Sequence, residues 1–148
     1  MNNVIFRKDH WDFILPYLRE EERLDVPLDQ LVFLANNGQC ATMIHEGRAL
    51  CLFGFMQLHP GVLYVHVIPT EWIRHSLSYT KVFLKTIKTY VKNLQSMPIH
   101  RLETNALANE MHDSWMQHLG FHCEGTLEQY SPNRVDYRKW AWVKDRER

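Results

Sequence analysis

Charge of a single sign is what this sequence lacks most plainly. Lys plus Arg and Asp plus Glu stand at 17 each across 148 residues. No overall field gathers a polyanion by neutralising its phosphates, and nucleic acid is not the expected partner. Cysteine is scarce as well: Cys40, Cys51 and Cys123 are odd in number and widely spaced. That excludes a disulfide framework and leaves reduced thiols, at least two of them in apolar runs, as in an intracellular protein. Long apolar runs are also missing. The longest, residues 49–56, falls far short of the ~20 residues that a membrane helix needs. The opening MNNVIFRKDHWDF has neither a cationic nor an apolar export region. A soluble chain made in the cytoplasm, with no membrane partner, is expected.

What is present is a globular composition, 45% hydrophobic and 12% aromatic, without repeat, linker or low-complexity stretch. Residues 1–148 are expected to form one domain, with 144–148 as a charged tail. Residues 4–6 read as a first strand. Asp9 stands where a cap would open a helix bearing Phe13, Ile14, Tyr17 and Leu18, disturbed by Pro16. Residues 27–36 place Leu28, Leu31, Val32 and Ala35 at helical spacing and stop at Asn36-Asn37-Gly38. Strands at 40–44, 49–58 and 62–68 follow, divided by His45-Glu46-Gly47 and His59-Pro60-Gly61, as in a three-strand meander.

Leu77, Thr80, Leu84, Ile87, Val91 and Leu94 then recur at 3,4,3,4,3 spacing, the apolar stripe of a long helix. Lys81, Lys85, Lys88 and Lys92 mark its solvated side. A strand at 100–107, a helix at 109–119 stopped by Gly120, and a hairpin of 121–130 with 135–143 complete the chain. The order is β-α-α-β-β-β-α-β-α-β-β. It describes an α+β protein with a mixed, mostly antiparallel central sheet flanked by helices.

That order, with HRLETNALANEMHDSWMQHLGFHCEG near its end, resembles the GCN5-related N-acetyltransferase superfamily. In that family an Asn opens the last helix, a Leu-Gly-Phe run closes it, and Glu-Gly often follows. Here those residues are Asn109, Leu119-Gly120-Phe121 and Glu124-Gly125. The ending has a structural cause: Leu119 seals the helix on the core, Gly120 takes the left-handed cap conformation, and Phe121 starts the next strand pointing inward. Such a signature speaks for fold rather than chemistry.

The resemblance implies acetyl-coenzyme A as cofactor, with its pyrophosphate on a glycine-rich loop before the long helix. The corresponding segment, VIPTEWIRHSLSYTKVF, contains no glycine. With Arg74 in the family's Arg position, the glycine positions fall on Leu77 and Tyr79, whose side chains are expected to crowd a pyrophosphate. Arg74, His75, Ser76, Ser78 and Asn109 remain the candidate cofactor contacts. The family's acid, a tyrosine five residues before the Phe, is replaced by Met116, which has no proton to give. His66 and Glu71 are the candidate bases for an amine acceptor, with Glu103 a further available carboxylate. His118, His122 and Cys123 lack any zinc-binding spacing, so no metal is expected.

Two classes of function follow. Overall length and residues 71–85 resemble small acetyltransferase-like proteins of tailed bacteriophages, including internal virion proteins. The leading expectation is therefore a non-catalytic module with a degenerate acetyl-coenzyme A site, associated with a virion or docking on another protein, such as a virion component or a host protein. Oligomers are compatible with it. The alternative is an acetyl-coenzyme A-dependent N-acetyltransferase acting on a primary amine of a protein or small molecule.

Overall fold

The computed structural model describes residues 2–5, Tyr17, Arg19 and 39–145. The helices expected at 9–18 and 27–36 and the end of the charged tail lie outside these residues, apart from Tyr17. Strands β1 (Asn2–Ile5), β2 (Gln39–His45), β3 (Arg48–His59) and β4 (Val62–Pro69) form an antiparallel run. The sharp turns occur where the sequence supplies residues for positive φ. Glu46 and Gly47, at φ 52 and 75, form a two-residue hairpin loop whose twist matches that of the strands.

Gly61 meets a second demand besides its φ of 81. Its carbonyl accepts the N–H groups of His100 and Arg101, and a Cβ there would stand 2.4 Å from the His100 ring. Gly61→Ala is expected to lower stability by about 2 kcal/mol. At Gly120, at φ 88 with open space around it, the same change costs about 1 kcal/mol. Urea unfolding of both variants checks the order.

A 3-10 turn, Glu71–Arg74, leads into helix α1 (Leu77–Gln95). Strand β5 (Arg101–Leu107), helix α2 (Glu110–His118), β6 (His122–Leu127) and β7 (Tyr137–Val143) complete the described chain. The seven strands lie in the order β1-β2-β3-β4-β5-β7-β6. All neighbours are antiparallel except β4 and β5, as the helical crossover between those two strands requires. This is the expected α+β architecture.

The core face of α1 differs from the expected stripe. Tyr79, Phe83, Ile87, Val91 and Leu94 are buried, whereas Leu77 is 70% exposed and Thr80 and Leu84 are half-buried. A 3,4,3,4,3 pattern advances more slowly than the ~3.6 residues of a straight helical turn. Traced back toward the N-terminus, it drifts off the sheet, and the aromatic residues Tyr79 and Phe83 take the inward positions. Among the lysines, Lys81, Lys85 and Lys92 are exposed as expected.

Trp140 is buried and Trp142 packs against the same core cluster, which accounts for their shared strand face. All three cysteines are free thiols. Burial raises the thiol pKa of Cys51, and that of Cys40 is pushed up to about 12, so both behave as apolar groups. Among the described residues no helix is long and apolar enough to cross a membrane.

Candidate active-site cleft

Among the described residues the sheet has one parallel pairing, and it is also the shortest. Val62, Leu63 and Tyr64 pair with Arg101, Leu102 and Glu103, after which β4 and β5 part company. Beyond that point β4 keeps its bonds to β3 and β5 keeps its bonds to β7, but the two edges facing each other form no ladder. Helices α1 and α2 meet beside the gap, with Phe83 and Trp115 edge to face at 5.6 Å. The result is a cavity of about 620 Å³ bounded by both strands, both helices, Arg19 and the segment around Tyr130–Pro132. Unpaired strand edges are a template for any extended ligand that carries amide groups.

Tyr64 floors the cleft. Its phenol oxygen meets the Thr104 side chain and the Asn105 backbone, and burial pushes its pKa up to about 12. Asn105 in turn donates to the Tyr130 hydroxyl at 3.1 Å, and Tyr130 packs on Tyr137 at 5.4 Å.

His66 lies two residues further along β4, opposite Gly54 in the ladder. Val67 pairs with Phe53, and Phe53 meets Tyr90 of α1 at 4.9 Å. Strand alternation therefore turns His66 to the face away from α1. His66 is 4% exposed and belongs to the cavity lining, and both of its ring nitrogens are closed to solvent with no hydrogen-bond partner among the described residues. Burial lowers its pKa to about 4, so it is neutral at pH 7.

A second histidine, His112, lines the same cavity from α2. Asn109 is the N-cap of that helix: its Oδ1 accepts the backbone N–H of His112 at 2.9 Å and stands 2.8 Å from Nδ1. This arrangement assigns the proton to Nδ1 and leaves Nε2 as the acceptor facing Arg19, at 3.4 and 3.5 Å. Arg19 is itself buried and sits over the Trp115 ring at 5.9 Å. Burial and the charges of Arg19 and Arg74 together lower the His112 pKa to about 4. The two histidines, drawn from β4 and α2, are both kept uncharged.

The other sequence candidates separate. Glu71 opens the 3-10 turn in an exposed position and is not part of the cavity wall that contains His66. Glu103 is committed to Arg101, whose Nε donates to it at 2.7 Å. Ser76 is the N-cap of α1, its hydroxyl accepting the Tyr79 N–H at 3.2 Å; Ser78 and Arg74 are exposed beside it. Asn109 caps α2. Met116 lines the cavity as a buried apolar group.

The expected crowding by Tyr79 is not what the fold does. Its ring is buried, and its hydroxyl donates to Glu46 at 2.6 Å and accepts from Arg48 at 3.0 Å. Leu77 stands in solvent. The N–H groups of Leu77 and Ser78 have no hydrogen-bond partner among the described residues, as is general for a first helical turn.

Sequence reading missed Arg19, Tyr64, Asn105 and His112. Only His112 carried a local signal, as the third residue after a capping Asn. His118, His122 and Cys123 are exposed, and among the described residues no three metal-binding side chains converge.

The fold is that of the GCN5-related N-acetyltransferases. Ard1 from Thermoplasma volcanium superposes with a TM-score of 0.78 at 8% identity, covering 96% of each chain. A mutant spermidine N-acetyltransferase from Vibrio cholerae gives 0.73 at 12% identity over 100% of both chains. A Bacillus subtilis acetyltransferase in complex with CoA gives 0.67 at 12%, covering 96% of each. No protein-family model matches the sequence, and no curated protein matches it.

Proposed function

We propose that this chain is an acyl-coenzyme A-dependent N-acyltransferase whose cofactor arm lies between β4 and β5. The observation that carries the reading is the open cleft with the unpartnered imidazole of His66 in its wall. Its closure would have spoken for a scaffold. The residues present fit coenzyme A. The facing strand edges offer backbone donors and acceptors to the amides of the arm. The N–H groups of Leu77 and Ser78, with Arg74 beside them, offer positive ends to its phosphates. Bound coenzyme A supplies an activated acyl thioester.

The chain's own contribution is to receive the amine. An ammonium entering the cleft loses hydration, which disfavours its charged form. The proton the ammonium sheds goes to water, and neutral His66, its ring nitrogen uncovered as the amine enters, accepts a hydrogen bond from the remaining N–H. Met116 has no proton to offer a leaving group, so that acid function also falls to water. The acceptor is a primary amine of a protein or a small molecule.

A second reading is favoured by the glycine-free segment at 71–79 and by Met116: a bacteriophage-type module that binds a virion component or a host protein without catalysis. Calorimetric titration with acetyl-coenzyme A separates the two. Micromolar affinity is expected, and absence of heat at millimolar ligand overturns the enzyme reading in favour of the module.

A further inference from the structure

The path from β4 into α1 has no glycine, yet Thr70, Trp72, His75 and Tyr79 are fastened to the neighbouring hairpin, the last three of them to Arg48. This arginine is the first residue of β3, next to the Glu46–Gly47 turn. Its guanidinium lies over the Trp72 ring, 4.2 Å from the centre. Its Nη1 donates to the Tyr79 hydroxyl at 3.0 Å and stands 3.3 Å from Nε2 of His75. Tyr79 relays the connection to Glu46 at 2.6 Å, and that bond holds the Glu46 carboxyl below its ordinary pKa. Trp72 and His75 meet edge to face at 5.2 Å, and His75 and Tyr79 at 4.8 Å. At the start of the segment the Thr70 hydroxyl donates to the Ala49 carbonyl at 2.7 Å. Residues 70–79 are thus tied by side chains to the β2–β3 hairpin.

A glycine loop lets phosphate approach the backbone by having no side chains in the way. Here Trp72, His75 and Tyr79 are present but drawn together on the hairpin side. Tyr79, at one of the family's glycine positions, spends its ring and hydroxyl there.

We propose that Arg48 is a positioning residue for phosphate binding. By holding Trp72, His75 and Tyr79 against the β2–β3 hairpin, it lets a glycine-free segment present the N–H groups of Leu77 and Ser78 to the phosphates of coenzyme A. The inference rests on the coenzyme A reading above. Arg48 does not touch the ligand; it acts through the rings it stacks on and bonds.

The test compares coenzyme A with pantetheine, which shares the arm but lacks the phosphates, by calorimetry on the full chain. Arg48→Met is expected to weaken coenzyme A about tenfold and to leave pantetheine affinity unchanged. Arg48→Lys keeps a charge near Trp72 but loses the planar fork, and is expected to restore part of that loss. Equal weakening toward both ligands, or none, overturns the positioning role and leaves the coenzyme A reading standing. A wild-type protein that binds neither ligand overturns the reading itself and this role with it. If Arg48→Met does not fold, Tyr79→Phe removes only the hydroxyl between Arg48 and Glu46. It is expected to show the same split between ligands at about threefold.

Discussion

His66→Leu is expected to lower kcat for amine acylation about 100-fold while leaving the affinity for acetyl-coenzyme A nearly unchanged. Leucine conserves most of the volume, so the packing around Gly54 survives, but it removes a ring whose nitrogens have no hydrogen-bond partner among the described residues. The acceptor bond is used as the amine sheds its proton, so its loss falls on kcat and not on cofactor binding. The pH profile sharpens the expectation. With its pKa lowered to about 4 by burial, His66 keeps its lone pair from about pH 5 upward, and no acid limb near the ordinary histidine value belongs to it. Steady-state kinetics of the variant with a panel of primary amines decides the matter. An unchanged kcat removes His66 from the mechanism.

Folding stability is expected to fall steeply as pH drops from 6.5 toward 4. His66 and His112 have folded-state pKa values lowered to about 4, against an ordinary value near 6.5. Above pH 6.5 both are neutral whether the chain is folded or unfolded, and they cost nothing. Between 6.5 and 4 the unfolded chain takes up protons that the folded chain refuses. Stability is therefore lost on acidification through this window. For His66 the loss at pH 5 is about 2 kcal/mol. His112, whose pKa is lowered to the same value by burial and by the charges of Arg19 and Arg74, acts in the same direction. Urea unfolding at pH 7.5 and pH 5 measures the slope, and His66→Leu should flatten it; an equal slope in wild type and variant would falsify the assignment to His66.

Much of the frame was legible in the sequence because its causes are local. Gly47, Gly61 and Gly120 all occupy the positive φ values that their turns and helix end demand. Asn109 caps α2 through its own side chain, and the meander of β2, β3 and β4 follows from alternating strands divided by turn residues. These signals span a few neighbouring residues each, and together they carried the likeness to the acetyltransferase fold.

The site was less legible. That His66 lies in the wall of a cavity depends on β4 and β5 separating after Tyr64, which no property of residues 62–69 alone specifies. Arg19 and His112 are 93 positions apart in the chain. Tyr79, read as an obstruction, is turned aside by Glu46 and Arg48 of a hairpin more than 30 residues earlier. The inward face of α1 was misread for a related reason: which of several apolar rows is buried depends on where the helix crosses the sheet.

The sequence by itself determined the elements, their order, the helix caps and the identity of the groups available for chemistry, since these arise from backbone conformation and neighbouring side chains. Only the tertiary structure decided that the cleft is open, that two histidines are buried and neutral, and that Arg48 holds the segment leading into α1. Desolvation and stacking require groups from distant parts of the chain to meet, and only the completed packing sets those meetings.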